Sequence, residues 1–297
     1  MPELPDILLY REHLERRLRG ATLVRATVVG MNLLRTAEPP LADAEGRRVL
    51  VVERVGKRVV LALESELFLV FHLMIAGRFR WREGATRLPG RVGLASFEFT
   101  SGTLLLTEAS RRQRASLHVL AGRAGVRELD PGGLEVLDAT PAEFASVLRR
   151  EDHTLKRALT DPRILSGIGN AYSDEILHRA RLSPLRRVSQ LDDEAMARLL
   201  EATQATLRSW IARLRDQNGE AFPEHVTAFR EGMAVHGRFG QPCPVCGAPI
   251  QRIVYAENET NYCARCQTGG RRLADRALSR LLGNDWPRTL EEVEGEP

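Results

Sequence analysis

The sequence predicts an α+β chain of several domains: a β-sandwich behind a leading helix, a helical domain, and a small four-cysteine module. Three observations support this prediction. Short apolar runs rich in Val, Leu and Phe fill residues 22 to about 121, and helical periodicity takes over after Asp130-Pro131-Gly132-Gly133. All 4 cysteines stand in two Cys-x-x-Cys pairs near the C-terminus. A chain of 297 residues with 43% hydrophobic content can bury more than one core.

The first domain, expected over residues 1–130, begins with a helix and continues in strands. Residues 4 to 19 have amphipathic spacing, with Asp6 at the positive end of the helix dipole and Gly20 as the stop. Runs of β-forming residues bounded by Gly, Pro and acidic residues predict seven strands, which favours a sandwich or barrel. They are Leu23–Val29, Val49–Val55, Val59–Leu63, Leu67–Leu73, Gly77–Trp81, Leu94–Phe99 and Thr103–Thr107.

Three further segments are expected: a helical domain over 131–235, a cysteine-rich module over 236–270, and a C-terminal helix with an acidic tail over 271–297. The helices predicted in the second domain are Pro141–Arg150 with Thr140 as its cap, residues 170 to 181, and Asp192–Arg215. A basic helix is expected over Arg272–Leu282. A disordered tail follows it, with four glutamates in the last seven residues.

The charged residues favour a polyanionic partner. The net charge is +4 and the pI is near 9.1, a weak signal that many proteins share. Only Lys57 and Lys156 are lysines among 43 basic residues. A Lys ammonium can lose its proton where an Arg guanidinium cannot, so both are candidates for chemistry or phosphate contact. No apolar run approaches the roughly 18 residues of a membrane span, so we expect a cytoplasmic protein without a membrane partner.

The cysteine pairs Cys243-Pro-Val-Cys246 and Cys263-Ala-Arg-Cys266 have the spacing of a structural zinc site. Four thiolates would give one Zn²⁺ a closed tetrahedral set with no open position for water. Two disulfides are the alternative, which a cytoplasmic location disfavours. We expect the site to shape a hairpin with arms at Ile250–Tyr255 and Asn261–Tyr262. Flanking arginines such as Arg265 are candidates for phosphate contact.

A glycine-rich turn, Ser166-Gly167-Ile168-Gly169-Asn170, precedes a predicted helix. It lacks the preceding strand and the third glycine of a dinucleotide fingerprint. Two interpretations remain. The glycines form a simple turn between helices, or they let the backbone approach a phosphate, with Asn170 and the helix N-terminus as donors.

The N-terminus can supply a nucleophile. Removal of Met1, which a small second residue permits, would leave Pro2 as a secondary amine at the positive end of the first helix, beside the carboxylate of Glu3. The helix dipole lowers the pKa of this amine, and Glu3 can shuttle protons. Such an amine can attack the C1′ of a sugar and form an iminium.

These motifs occur together and in one order. They are Pro2-Glu3-Leu4-Pro5, Lys57 after Gly56, His72-Leu73, Gly167-Ile168-Gly169-Asn170-Ala171-Tyr172, and the four-cysteine module. This set resembles the formamidopyrimidine-DNA glycosylase and endonuclease VIII family of base-excision repair enzymes, and is closer to the first branch, over residues 2 to about 267. The resemblance implies an N-terminal β-sandwich, a helix-two-turn-helix domain and a zinc finger. It also implies damaged double-stranded DNA as the partner, with single-stranded DNA as an open alternative.

The resemblance further implies an enzyme that removes an oxidised or ring-opened base from a flipped-out nucleotide and cleaves the abasic site by β,δ-elimination. Pro2 would form the Schiff base, with Glu3 as general acid and base. Lys57 would hold phosphate and sugar, and Glu175 would be a buried acid near the proline. We expect DNA contacts from His72, Ile75, Arg111, Arg112, Lys156, Asn170, Tyr172, Asn258 and Arg265.

The chain departs from this family at positions that affect the substrate. Ile75 stands where the glycosylases carry a Met, and Arg112-Gln113 stands where they carry an Arg-Phe pair, so the aromatic wedge is missing. Asn258 replaces an arginine five residues before the third cysteine. The sequence therefore identifies neither the lesion nor the preferred opposite base. A non-catalytic or altered-specificity zinc protein that binds damaged DNA is the alternative, and we expect a monomer in either case.

Overall fold

The computed structural model describes residues 1–255, 258–273 and 288–294. The chain divides into two compact units. The first contains Met1–Pro131 and Trp210–Ala228, and the second contains Gly132–Ser209 and Phe229–Pro297. None of the helices among the described residues is long and apolar enough to cross a membrane.

The first unit contains helix α1 (Leu4–Leu18) and two antiparallel four-stranded sheets. One sheet has the order β1-β6-β7-β5, and the other has the order β2-β3-β4-β8. The strands are β1 (Leu23–Val28), β2 (Val49–Val55), β3 (Arg58–Leu63), β4 (Leu67–His72), β5 (Gly77–Arg82), β6 (Gly93–Phe99), β7 (Gly102–Glu108) and β8 (Ser116–Ala121). Helix α2 (Gly122–Glu128) follows them.

Aromatic side chains join these layers in one core. Phe71 of β4 contacts Phe97 of β6 edge to face, with ring centroids 5.2 Å apart. Tyr10 of α1 contacts Phe79 of β5 in the same way at 5.3 Å. These contacts connect the two sheets and the helix, so the expected sandwich with a leading helix is present.

The strand registers bring several loops to one edge of the sandwich. In one sheet, Val55 pairs with Arg58, Arg58 with His72, and His72 with Ser116. In the other sheet, Gly77 pairs with Glu108. The turn 56–57, the β4–β5 loop 73–76 and the β7–β8 loop 109–115 therefore lie along one edge, which we call the sandwich rim. Gly56 has a φ of +56° in this turn, a conformation that favours glycine.

Two elements of this unit were not predicted. Strand β8 follows an arginine-rich loop and has only six residues, although buried Leu117 and Val119 alternate with half-buried neighbours. Helix α2 contains Gly122 and Gly125, which are poor helix formers, so local propensity does not indicate a helix there.

The second unit begins with helices. They are α3 (Pro141–Leu148), α4 (Leu155–Thr160), α5 (Asn170–Ala180) and the first part of α6 (Asp193–Asn218). The predicted caps are present. Glu143 donates its backbone N–H to Thr140 Oγ1 at 3.3 Å, and Ala195 donates to Asp192 Oδ1 at 2.7 Å. Short 3-10 turns lie at Val136–Asp138 and Val188–Gln190 in this unit, and at Leu41–Ala44 and Glu64–Glu66 in the first unit.

The cysteine-rich part forms a hairpin of β9 (Ile250–Tyr255) and β10 (Asn258–Cys263), followed by helix α7 (Ala264–Thr268). The second arm begins three residues earlier than predicted. The predicted helix Arg272–Leu282 falls mostly outside the described residues, and Arg272 is not helical. The expectation of a disordered tail is wrong for Leu290–Glu294, which is a helix that buries Leu290.

Candidate functional site

The N-terminus lies among charged groups at the start of α1. Pro2 is buried and Glu3 is 2% exposed. Glu3 begins the helix by donating its backbone N–H to Asp6 Oδ2 at 2.8 Å. Burial lowers the pKa of the N-terminal amine on Met1 below its ordinary value, Glu3 opposes this effect, and Arg78 and Lys57 add to it. The amine terminus, an acid and a lysine are therefore electrostatic neighbours.

Lys57 occupies the β2–β3 turn of the sandwich rim. Arg54 stabilises this turn by donating from Nη1 to the carbonyl of Gly56 at 2.6 Å. Burial lowers the pKa of Lys57, and the negative charge of Glu3 raises it. The side chain is thus a desolvated ammonium that faces the acid of the N-terminal helix.

His72 ends β4 on the same rim. Its Nδ1 accepts the backbone N–H of Met74 at 3.1 Å, which places the ring proton on Nε2. Burial, together with the nearby cations Arg58 and Lys57, lowers the pKa of His72 to about 4. His72 is therefore a neutral hydrogen-bond donor at neutral pH rather than a cation.

The β4–β5 loop presents an apolar side chain beside these polar groups. Ile75 is 50% exposed. Arg78 supports the loop by donating from Nη1 to the carbonyl of Ile75 at 3.2 Å and from Nε to the carbonyl of Val226 at 2.5 Å. Met74 has a φ of +52°, which is strained for a residue other than glycine. The loop thus holds Ile75 outward as a candidate wedge.

The β7–β8 loop carries the predicted arginines. Arg111 and Arg112 are both exposed. The base of the loop is closed by Glu108, whose Oε2 accepts the backbone N–H groups of Arg114 and Ala115 at 2.9 Å each. The sequence analysis missed this buried carboxylate and the support given by Arg78.

In the second unit, Lys156 is paired with a buried acid. Its Nζ donates to Asp174 Oδ1 at 2.5 Å and to the carbonyl of Asn170 at 2.8 Å. Asp174 Oδ2 lies 2.8 Å from Nδ1 of His236 and accepts the backbone N–H of Asn261 at 3.1 Å. A phosphate contact by Lys156 would have to use the remaining ammonium proton.

Glu175 has a role that differs from the expected one. Its Oε2 accepts the backbone N–H of Ala234 at 2.7 Å, and its Oε1 accepts those of Val235 and His236 at 2.9 Å each. Through these three bonds Glu175 positions the chain at 234–236. A catalytic role for Glu175 stays a prediction.

The start of α5 contributes a bond to the hairpin. Asn170 donates from Nδ2 to the carbonyl of Glu259 at 2.8 Å. Tyr172 is only 2% exposed, which corrects the expectation of a DNA contact by this side chain. Asn258 begins β10 opposite Tyr255, and its side chain lies outside the described part of the structure.

The four cysteines form a metal site. Their Sγ atoms lie within 4.8 Å of one another, and the Cys246–Cys263 and Cys243–Cys266 pairs are separated by 3.4 and 3.9 Å. Tetrahedral coordination with bonds of about 2.3 Å needs sulfur separations of roughly 3.8 Å, so the residues fit a structural metal. Burial raises the pKa of Cys263 to about 11, which a bound cation would reverse.

Groups around the metal site connect it to the helices. His178 of α5 has its Nε2 at 3.3 Å from Cys243 Sγ. Burial lowers the pKa of His178, so a neutral ring can donate this proton to a thiolate. Arg265 is exposed and donates to the carbonyl of Cys246 at 3.4 Å.

Three family models match the chain in the order of these elements. The formamidopyrimidine-DNA glycosylase N-terminal domain matches residues 1–115, and the H2TH domain of the same proteins matches residues 133–219. The zinc finger found in FPG and IleRS matches residues 240–269. The formamidopyrimidine-DNA glycosylase of Thermus thermophilus is 36% identical over 282 residues, which cover 91% of this chain and 100% of that protein. The chain belongs to the formamidopyrimidine-DNA glycosylase family.

Other formamidopyrimidine-DNA glycosylases agree with this assignment. The enzyme of Heliobacterium modesticaldum is 33% identical over 283 residues, covering 90% of this chain and 100% of that protein. The crystal structure of MutM (Fpg) from Thermus thermophilus has a TM-score of 0.74 at 32% identity, and covers 90% of this chain and 98% of that one. The predicted fold class is therefore confirmed.

A further structure shows the same fold at lower identity. Lactococcus lactis Fpg, solved in complex with DNA that contains an abasic site, has a TM-score of 0.79 at 22% identity, and covers 90% of this chain and 99% of that one. Within this glycosylase fold, the sequence analysis missed Asp174 and His236. The available sequence signal was an acid, Asp174, at the fifth position of α5.

Proposed function

We propose that this chain is a DNA glycosylase of base excision repair that removes oxidised or ring-opened bases and cleaves the resulting abasic site. One observation carries the proposal. Pro2 is buried next to the buried acid Glu3 at the start of α1, and the amine of Met1 that precedes it lies in the electrostatic field of Glu3 and Lys57. A binding module has no need of a deprotonated amine beside an acid, whereas covalent catalysis at a sugar needs both.

The proposed chemistry begins after removal of Met1. The lone pair of the Pro2 nitrogen attacks C1′ of the flipped-out nucleotide, and the C1′–N bond breaks as the damaged base leaves with a proton. Opening of the sugar ring gives a C1′ iminium on Pro2. Glu3 supplies and removes the protons of these steps, a role that contributes about 10²–10⁴-fold to a rate.

Elimination then breaks the DNA strand. The iminium acidifies the C2′ protons, so loss of one proton expels the 3′ phosphate, and a second elimination expels the 5′ phosphate. Lys57 supplies a compact cation that can pair with a phosphate near C1′. Neutral His72 can donate from Nε2 to a second phosphate oxygen. Damaged DNA is thus the proposed partner, and a lesion that weakens base pairing lowers the cost of flipping.

The proposed metal at the four cysteines is one zinc ion. Zinc forms closed tetrahedral sites with four thiolates, and it would supply folding energy there. The hairpin β9–β10 would then be held in shape for DNA contact, with exposed Arg265 beside it. Asn258 at the start of β10 replaces an arginine, so we expect phosphate contacts that differ from those of the family. Altered specificity is therefore part of this proposal.

The proposal is tested by strand cleavage of DNA that carries one abasic site. The processed protein is compared with a variant whose N-terminus is extended by a short tag that mass spectrometry shows to be retained. We expect the extension to abolish cleavage while DNA binding persists. Cleavage by the extended protein at the normal rate would remove Pro2 from the mechanism. Binding without cleavage by the processed protein would favour a recognition module.

A further inference from the structure

An open cavity of about 410 Å³ lies in the first unit, beside the sandwich rim. Its walls come from residues 29–33, from Gly90, Arg91, Gly93 and Leu94, and from Gln113 and Ala115. Val28 pairs with Ala95, and Gly93 pairs with Thr107, so the ends of β1 and β6 that lead into the cavity lie at the same edge as the turn of Lys57. The cavity is therefore a neighbour of the candidate catalytic groups in the same unit.

The cavity has an exposed apolar lip. Met31 is 98% exposed and Val29 is 55% exposed, although both lie on a loop with a defined backbone. The loop is tied down because Val29 donates its N–H to the carbonyl of Leu94 at 2.9 Å, and Leu33 donates to that of Gly30 at 3.0 Å. Ile75 is a third exposed apolar side chain on the same rim. Proteins use such side chains as wedges between bases.

The polar lining of the cavity consists mainly of amides. Asn32 and Gln113 both line it, and among the described residues neither side chain has a hydrogen bond. A carboxamide offers a donor and an acceptor together, which is the pattern displayed by the edge of a base. Arg91 is the cation among the lining residues, and one cation provides little positive charge for binding phosphates. The lining thus suits a flat, neutral, hydrogen-bonding ligand.

We propose that this cavity takes the unpaired base of the complementary strand after the damaged nucleotide leaves the duplex. Met31 packs against the face of that base, and the amides of Asn32 and Gln113 bond to its edge. The lip would thereby replace the aromatic wedge that Arg112-Gln113 lacks. This inference rests on the proposed function, since extrusion of the damaged nucleotide is what leaves the opposite base unpaired.

The test compares Met31→Ala and Gln113→Ala with Val24→Ala. Val24 is the control because it is an exposed apolar residue of β1, 55% exposed like Val29 of the lip. It lies at the end of the strand that is remote from the rim. Single-turnover cleavage is measured on abasic-site duplexes with each of the four opposite bases, and on the single strand. We expect Met31→Ala to slow duplex cleavage, and Gln113→Ala to change the ratio between opposite bases by roughly fivefold or more. Val24→Ala should match the unaltered protein on every substrate.

The single-stranded substrate is the control for the role of the opposite base, because it has no complementary strand. Unchanged single-strand cleavage by both rim variants, with altered duplex cleavage, supports the proposal. Equal rates for all variants on all duplexes overturn it, as does an equal loss on single strand and duplex. If the unaltered protein cleaves nothing, the proposed function fails. The cavity is then judged by fluorescence of 2-aminopurine opposite the abasic site, which should change on binding to the unaltered protein but not to Met31→Ala.

Discussion

Lys156 donates from Nζ to Asp174 Oδ1 over 2.5 Å, so one of the two lysines in the chain is held by a buried carboxylate. The other oxygen, Oδ2, is within hydrogen-bond distance of His236 Nδ1 and accepts the backbone N–H of Asn261. The side chain of Asp174 has no solvent exposure. One acid therefore joins helices α4 and α5 to the segment before the metal site and to strand β10.

Replacement of Asp174 should be strongly destabilising. Asp174→Ala would leave a buried ammonium and a buried imidazole without their shared partner, which costs about 3–5 kcal/mol for an ion pair of this type. Urea unfolding measures the loss. Glu194→Ala, which removes an exposed partner of Arg198, is the control and should change stability little. Equal effects of the two substitutions would show that the Asp174 cluster is not a structural centre.

Glu175→Gln separates a positioning role from a catalytic one. The amide retains one acceptor oxygen, so at least one of the N–H groups at 234–236 loses its partner, at a cost of about 1–3 kcal/mol. Hydrogen exchange should accelerate at Ala234, Val235 and His236. Borohydride trapping should still occur once the variant is folded. Normal exchange together with lost turnover would instead make Glu175 a proton-transfer group.

Metal removal should unfold the hairpin before the rest of the protein. Cys263→Ala removes one of four thiolates and should lower the zinc content, because the remaining ligands form an open site. Metal analysis together with hydrogen exchange of β9 and β10 measures both effects. Hairpin amides that remain protected in the metal-free protein would show that the core around Tyr262 suffices without the ion.

His13 should make the first unit less stable in acid. It is 1% exposed, and burial with the adjacent Arg16 and Arg17 lowers its pKa to about 4 from 6.5. The unfolded chain therefore binds the proton first as the pH falls. The stabilisation is complete above pH 6.5 and is lost between pH 6.5 and 4, by on the order of 3 kcal/mol.

Urea unfolding at several pH values measures this linkage. His13→Gln should show a shallower loss of stability between pH 6.5 and 4 than the unaltered protein, while replacement of exposed His225 should leave the slope unchanged. An unchanged slope in His13→Gln would mean that His13 has the same pKa in the folded and the unfolded chain.

Sequence patterns predicted most of the helices and strands, because these elements are determined largely by residues that are close together in the sequence. Strand β2 follows from a short run of β-forming residues, and helix α3 follows from helical periodicity after its Thr140 cap. The cysteine site follows from spacing alone. Strand β10 was predicted too short, because Asn258 and Glu259 have little β propensity and pair only through the register with β9.

The remaining features depend on contacts between distant positions. Asp174 and His236 are 62 residues apart, and no periodicity relates them. The burial of Tyr172 and the three donors on Glu175 likewise arise only when the chain is folded. The family resemblance placed Glu175 correctly in a buried position. Its hydrogen bonds, however, depend on residues 234–236, which are distant in the sequence.

The central claim is that the N-terminal proline is the nucleophile. Borohydride trapping of the untagged protein on DNA with one abasic site, followed by peptide mapping of the adduct, tests this most directly. The account predicts an adduct on Pro2, slowed in Pro2→Gly and still mapped to Pro2 in Lys57→Ala. An adduct on Lys57, or no adduct despite measurable DNA binding, would contradict it.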